Sequence, residues 1–268
     1  MKVALTIAGS DSGGGAGIQT DLHAFAAHGL HGTSALTAVT AQNTTGVTAW
    51  APIDPALVEA QIDAVAQDMP VAAAKTGMLP SAAVIEAVVR AIRRNRLESA
   101  LVVDPVLVAR SGDRLVDATA ERACVELLLP LAAVATPNAL EAEALLGRPV
   151  RDLEAQEAAA RDLQALGPRA VLVKGGGIPG PSAVDVLFDG RELVRLAVER
   201  IDTPHTHGTG CTLSAAIAAR LALGARLREA VEGAKDYLTT GLRRAYCVGR
   251  GRGCVRHHEV VAARRDSR

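Results

Sequence analysis

The sequence predicts an α/β fold whose central sheet is mainly parallel and covered by helices on both faces. Three observations predict it. Short apolar runs such as Val3–Ala8, Leu101–Val103 and Ala170–Val173 alternate with helical patterns, the order produced by parallel strands with crossover helices. Polar residues Asp11, Asp104, Asn138 and Lys174 each follow a predicted strand, and ligands in such folds bind beyond the carboxyl ends of strands. The 268 residues contain no repeat, low-complexity run or linker, so a single domain over 1–268 is expected, with 259–268 a flexible tail.

Val3–Ala8 reads as a buried strand that ends in a glycine loop, Gly9 to Gly17, and Ile18–His28 then shows helical spacing. Residues 33–40 form a β-branched run, and 47–52 a short strand. Pro55 suits a first helical turn, so 55–67 is helical. Ala72–Lys75 is a strand, and Ser81 caps a helix to Arg94. Residues 101–103 are a strand, 117–129 a helix and 132–135 a strand. A short helix to Leu146, a helix over 152–166 and a strand over 170–173 follow. Residues 184–188 and 192–197 read as a hairpin across Asp189-Gly190, and two helices, about 210–223 and 227–245, close the chain.

Composition excludes several function classes. Formal net charge is zero, with 29 basic and 29 acidic residues, which argues against nucleic acid or an anionic membrane as partner. The few aromatics, two Phe, two Tyr and one Trp, leave no stacking platform for single strands. No signal segment is visible before the first glycine loop, so a cytoplasmic protein is expected. Cys124, Cys211, Cys247 and Cys254 show no metal-ligand spacing. His257-His258 reads as a solvated pair in a polar tail.

The richest stretch is Thr206-His207-Gly208-Thr209-Gly210-Cys211-Thr212. A helix opening on Gly-Thr-Gly presents unpaired N–H groups and its positive dipole end, an anion site suited to a phosphoryl group in transfer. Cys211 stands in the same first turn, where a thiol is expected to lose its proton more easily. No Walker-type phosphate loop is present. Gly175-Gly176-Gly177-Ile178-Pro179-Gly180 matches Gly-x-Gly-x-x-Gly, but its prolines break the helix that dinucleotide binding needs, so it reads as a flexible loop after a nucleotide-side strand. Gly13 to Gly17, crowded by Asp11, Ser12, Gln19 and Asp21, reads as a substrate loop. Lys174 ends an apolar strand, where a charge needs a partner such as a nucleotide phosphate. Asp104 and Glu141 are candidate carboxylates for a magnesium shell.

Taken together, these motifs resemble a known family. Ala8-Gly9-Ser10-Asp11-Ser12-Gly13-Gly14-Gly15-Ala16-Gly17-Ile18-Gln19-Thr20-Asp21-Leu22 is similar to the N-terminal signature of the hydroxymethylpyrimidine/phosphomethylpyrimidine kinases, the thiamine-pathway branch of the ribokinase-like superfamily. Lys75-Thr76-Gly77-Met78, Val103-Asp104-Pro105-Val106, Thr136-Pro137-Asn138, Val173-Lys174-Gly175-Gly176 and His207-Gly208-Thr209-Gly210-Cys211-Thr212 follow in the family's order. The resemblance implies a three-layer α/β/α ribokinase-like fold, ATP with Mg2+, and a homodimer. It implies phosphorylation of 4-amino-5-hydroxymethyl-2-methylpyrimidine and then of its monophosphate. Ribokinase-like sugar kinases carry an Asp where Cys211 stands, so Cys211 favours the pyrimidine reading over a sugar kinase.

By the same resemblance, Gln42, Asp21, Gly9, Gly17 and Met78 hold the pyrimidine, Gln42 through its paired donor and acceptor. The amides of Gly208, Thr209, Gly210 and Cys211 stabilise the phosphoryl group, and Cys211 is the base for the first step. Lys174, Asn138 and Thr206 lie on the nucleotide side, with adenine near the C-terminal helices. Cys254 and Arg256 replace a family proline and asparagine, a change expected to affect the tail beside the nucleotide pocket. The alternatives are a pyridoxal kinase on the same scaffold and a non-catalytic nucleotide-binding protein.

Overall fold

A computed structural model describes residues 1–107 and 116–257. One nine-stranded sheet runs through the molecule in the order β3-β2-β1-β4-β5-β6-β7-β8-β9. The strands are β1 (Val3–Ser10), β2 (His31–Asn43), β3 (Gly46–Pro52), β4 (Val71–Thr76), β5 (Leu101–Val103), β6 (Val134–Ala135), β7 (Val171–Val173), β8 (Ser182–Phe188) and β9 (Leu193–Glu199). From β2 across to β7 every pairing is parallel, and antiparallel strands stand at both edges.

The helices are α1 (Gly17–Ala27), α2 (Pro55–Asp68), α3 (Ala82–Asn95), α4 (Ala118–Ala123), α5 (Ala139–Leu146), α6 (Leu153–Gln164), α7 (Thr209–Ala222) and α8 (Leu227–Arg243). They cover the sheet in two layers. Leu5, Ile7, Ala74, Leu101 and Val103 face a core shared with α2, α3, α4, α5 and α6. Ala4, Ala73, Val102 and Leu172 face the other core, with α1, α7 and α8. Because side chains alternate across a strand, apolar residues are needed at successive positions, which is why these strands read as continuous runs.

Several elements differ from the sequence-based expectation. β2 does not stop at residue 40 but continues to Asn43, because the β3 edge strand pairs with it across the Thr44-Thr45 turn. The expected helix over 117–129 is α-helical only to Ala123, then widens into a π-helical turn to Leu128 and tightens before Leu131, where Pro130 cannot donate to the ladder. The β8–β9 turn runs from Asp189 to Glu192, and the Asp189 carboxylate accepts the Arg191 and Glu192 N–H groups. His257 is buried at 5% exposure and is hydrogen-bonded to the Tyr237 hydroxyl, so it is not a solvated tail residue. His258 and the expected flexible tail, 259–268, lie outside the described residues.

Candidate active site

The chain's polar motifs meet at the carboxyl ends of the parallel strands. β1 is flanked by β2 on one side and β4 on the other, so the strand order reverses there and a crevice opens. The loop after β1 is shaped by one carboxylate. Asp11 accepts the N–H groups of Gly13, Gly15 and Ala16 and stands 2.9 Å from His207 Nε2. These bonds outweigh burial and hold its carboxyl below the usual range. The loop before α7 is thereby tied to it. Gly208 has φ +74°, and a Cβ there would stand 1.9 Å from the Gly15 carbonyl oxygen, so only glycine fits this crossing.

α7 begins after Gly208 with no side chain capping its first N–H groups. Lys174, at the end of β7, brings its ammonium to this terminus: a Cβ on Gly210 would stand 3.3 Å from Lys174 Nζ. The ammonium donates to Asp104 Oδ1 at 2.6 Å and lies 4.0 Å from Glu141 Oε2. Asp104 also accepts from Thr136 at 3.0 Å and Ser214 at 3.1 Å. Burial works to protonate Asp104, but the charges of Lys174 and Lys75 with the Lys174 and Thr136 hydrogen bonds together hold the carboxyl below its ordinary value. A fixed positive charge and uncapped helix amides thus share one small space, the arrangement that stabilises a phosphoryl group in transfer.

Asp104 and Glu141 do not fit a directly held magnesium ion. The Lys174 ammonium occupies the place beside Asp104. Glu141 forms the capping box of α5, accepting the Asn138 N–H, while the Asn138 side chain accepts the Glu141 N–H. Burial pushes the Glu141 carboxyl up to about 8. Asp104 pairs with the Lys174 ammonium instead, and Glu141 stands 4.0 Å from it.

Cys211 also departs from expectation. The thiol lies deep in the crevice and accepts the Gly17 N–H, and burial pushes it up to about 11 rather than down, with Lys75 opposing. Beneath it Lys75 donates to Asp21 at 2.8 Å, and Thr6 donates to the same Asp21 oxygen at 2.6 Å. Asp21 and Lys75 both have 0% exposure, so Asp21 does not reach a ligand as the sequence suggested. Burial works to discharge Lys75, but the adjoining Asp21 carboxylate keeps it charged above the ordinary lysine range. Gly17 is likewise structural, since a Cβ there would stand 2.3 Å from the Gly9 carbonyl oxygen.

Gln42 lies at the mouth of the crevice, at the end of β2. Its amide nitrogen is 3.4 Å from His207 Nε2. That ring nitrogen must donate its hydrogen to the Asp11 carboxylate, so it cannot also accept from Gln42. The Gln42 amide donors therefore remain for a ligand. Met78 is half-buried, and its Cε would stand 3.3 Å from a Cβ on Gly9, so the thioether closes over the Gly9 backbone as an apolar wall. Thr206 accepts the Thr209 hydroxyl through its carbonyl at 3.2 Å. The C-terminal turn packs beside Gln42: Gly251 N–H donates to Thr44 Oγ1 and Cys254 pairs with His207 and Tyr246. The Cys254 N–H donates to Tyr246 at 2.9 Å, a bond a proline there would forgo.

Sequence reasoning passed over Lys75 and His207. Lys75 ends an apolar strand as Lys174 does, so the same desolvation argument applied to it. His207 gave no signal of its own, because its partner Asp11 is 196 positions away.

A parallel sheet with two helical layers and a glycine-opened helix beside a buried lysine at the carboxyl end of a strand defines a ribokinase-like small-molecule kinase. The comparisons narrow the class. The family model described as phosphomethylpyrimidine kinase matches residues 11–256. The hydroxymethylpyrimidine/phosphomethylpyrimidine kinase of Synechococcus elongatus is 50% identical over 258 residues, covering 96% of this chain and 97% of the relative. The ADP complex of Bacillus subtilis pyridoxal kinase superposes with TM-score 0.90 at 38% identity, covering 97% of this chain and 98% of that one. The phosphomethylpyrimidine kinase of Clostridium difficile gives TM-score 0.81 at 39% identity, covering 90% and 100%. This chain belongs to the phosphomethylpyrimidine kinase family.

Proposed function

We propose that this protein is an ATP-dependent kinase that phosphorylates 4-amino-5-hydroxymethyl-2-methylpyrimidine and then its monophosphate to the diphosphate, in thiamine biosynthesis. The observation that carries the phosphoryl-transfer part is the meeting of Lys174 with the uncapped start of α7 at Gly210. In this reading the pyrimidine lies between Gln42 and Met78, with its hydroxymethyl group toward Cys211. The amides of Gly208, Thr209, Gly210 and Cys211 and the Lys174 ammonium stabilise the moving phosphoryl group. Lys174, Asn138 and Thr206 form the nucleotide side. Asp21 acts only through Lys75, by holding it charged beneath the thiol.

The second phosphorylation needs no strong base, because a phosphate acceptor is already ionised near neutral pH. The first has an alcohol acceptor, and Cys211 takes its proton there. With the thiol held at about 11, that step depends on the field of Lys75 and of the arriving ligands. The test is to incubate the protein with magnesium-ATP and the pyrimidine, its monophosphate or pyridoxal in parallel. Monophosphate followed by diphosphate is the expected outcome. Pyridoxal phosphate as the only product would overturn the substrate assignment and place the pocket in the vitamin B6 branch, which the Bacillus subtilis superposition keeps as the second reading. No phosphorylation with any acceptor would leave a nucleotide-binding protein without catalysis.

A homodimer is part of the same reading. α2 turns Val58 and Ile62 onto its own sheet, while the β3 edge leaves Val47 and Trp50 each 53% exposed. The β3 edge is then the surface for a second copy.

A further inference from the structure

The loop after Lys174, read from sequence as flexible, is fastened at both its root and its arch. At the root, the Gly175 N–H donates to Asp185 Oδ1 at 2.9 Å, and Lys235 of α8 donates to Asp185 Oδ2 at 2.6 Å. Gln156 of α6 donates to the Val173 and Val184 carbonyls at 2.8 and 2.9 Å. A Cβ on Gly175 would stand 1.9 Å from the Val184 carbonyl oxygen, so the loop must leave β7 as glycine. At the arch, one side chain gathers four carbonyls. Arg200 donates to Gly176 and Gly180 at 2.7 Å each, to Ser182 at 3.1 Å and to Ile178. Its own N–H donates to the Pro181 carbonyl at 3.0 Å.

Gly176 and Gly177 stand apart from this framework. Both are exposed, neither has a positive φ, and a Cβ on either would meet nothing within 4 Å. The fold therefore does not require glycine at these two positions. Bare backbone on an arch held this rigidly is the surface a ligand uses for close approach. The arch begins at Gly176, two residues after the lysine that faces the α7 terminus.

We propose that Arg200 is a positioning residue for the nucleotide, holding the Gly176–Gly177 backbone as a preformed rim against which the nucleoside end of the phosphoryl donor lies. This rests on the kinase reading above. A preformed rim spares the cost of ordering a loop on binding, so loss of Arg200 shows in affinity before it shows in chemistry.

The test compares Arg200→Lys, Arg200→Gln, Gly176→Ala and Gly177→Ala with the parent. ADP affinity is measured by calorimetry, KM for ATP and for the pyrimidine by steady-state kinetics, and Tm by scanning calorimetry. Expected are about tenfold losses in ADP affinity and matching rises in KM for ATP in both Arg200 variants, with kcat and the pyrimidine KM within about twofold. The two alanine variants keep the parental Tm yet lose ADP affinity at least about threefold, a split that a purely structural role would not give. Unchanged ADP affinity in both alanine variants overturns the proposal, as does an Arg200 variant that loses Tm while ADP affinity holds. Absence of any phosphorylated pyrimidine in the parent, with ADP still bound, counts against the kinase reading and not against the rim.

Discussion

Lys75 carries a full charge at a position with no exposed surface, and among the described residues its ion-pair partner is Asp21. A buried ion pair that loses one member leaves the other uncompensated, so Lys75→Met is expected to cost about 3–5 kcal/mol of stability, read by denaturant unfolding. The same change removes the group that lowers the proton affinity of Cys211. In any folded Lys75 variant, the pH at which iodoacetamide begins to modify Cys211 rises above that of the parent. Cys211→Ala is expected to slow the first phosphorylation by about 100-fold and the second by much less, since only the alcohol acceptor must lose a proton. Equal losses in the two steps, measured with each acceptor separately, would leave Cys211 a positioning role alone.

At the scale of elements, the start of α7 separates two uses of glycine. Gly208 needs its positive φ and its missing Cβ, because the Gly15 carbonyl fills the space a side chain would take. Gly208→Ala is expected to cost at least about 2 kcal/mol and to lower Tm along with activity. Gly210 lies in helical backbone and would place a methyl group 3.3 Å from Lys174 Nζ. Gly210→Ala, which needs no positive φ, is therefore expected to lower Tm less than Gly208→Ala does, while kcat falls because the methyl stands in the anion space. Parallel Tm and kcat measurements on the two variants check the contrast. Glu141, inside the α5 capping box, adds a pH dependence. Its folded carboxyl, raised to about 8, binds a proton more tightly than the unfolded chain does. Its contribution is complete below about pH 4 and is lost as pH rises through about 8. Glu141→Gln should become more stable relative to the parent from pH 5 to pH 9, as followed by urea midpoints.

For the molecule as a whole, the exposed β3 edge makes a claim about mass. Sedimentation is expected to show a dimer, and Trp50→Glu, a change on a strand exposed along its whole length, is expected to give a folded monomer. A monomeric parent would rule out the homodimer. No helix among the described residues is long and apolar enough to cross a membrane. The architecture itself was legible in the apolar runs, because a strand buried on both faces has no polar alternation to hide it. Ser81, Asp117, Asn138 and Asp152 sit at helix starts where their side chains accept the first amides, so helix starts were legible as well. The π-helical turn after Ala123 and the extension of β2 were not, since both answer to partners distant in the chain.

By itself the sequence determined the layered α/β fold, the glycine loops and the lysine at the end of β7, because each is written in local spacing: apolar runs, glycines and a charge closing a strand. Its ordered motifs were also enough to indicate the family. The tertiary structure alone decided how the charges pair. Asp21 turned inward to Lys75 instead of outward to a ligand, Lys174 took the place beside Asp104, and burial raised Cys211 where the helix terminus suggested the reverse. Proton affinity in a crevice depends on what surrounds a group in space, and those neighbours come from strands and helices far apart along the chain.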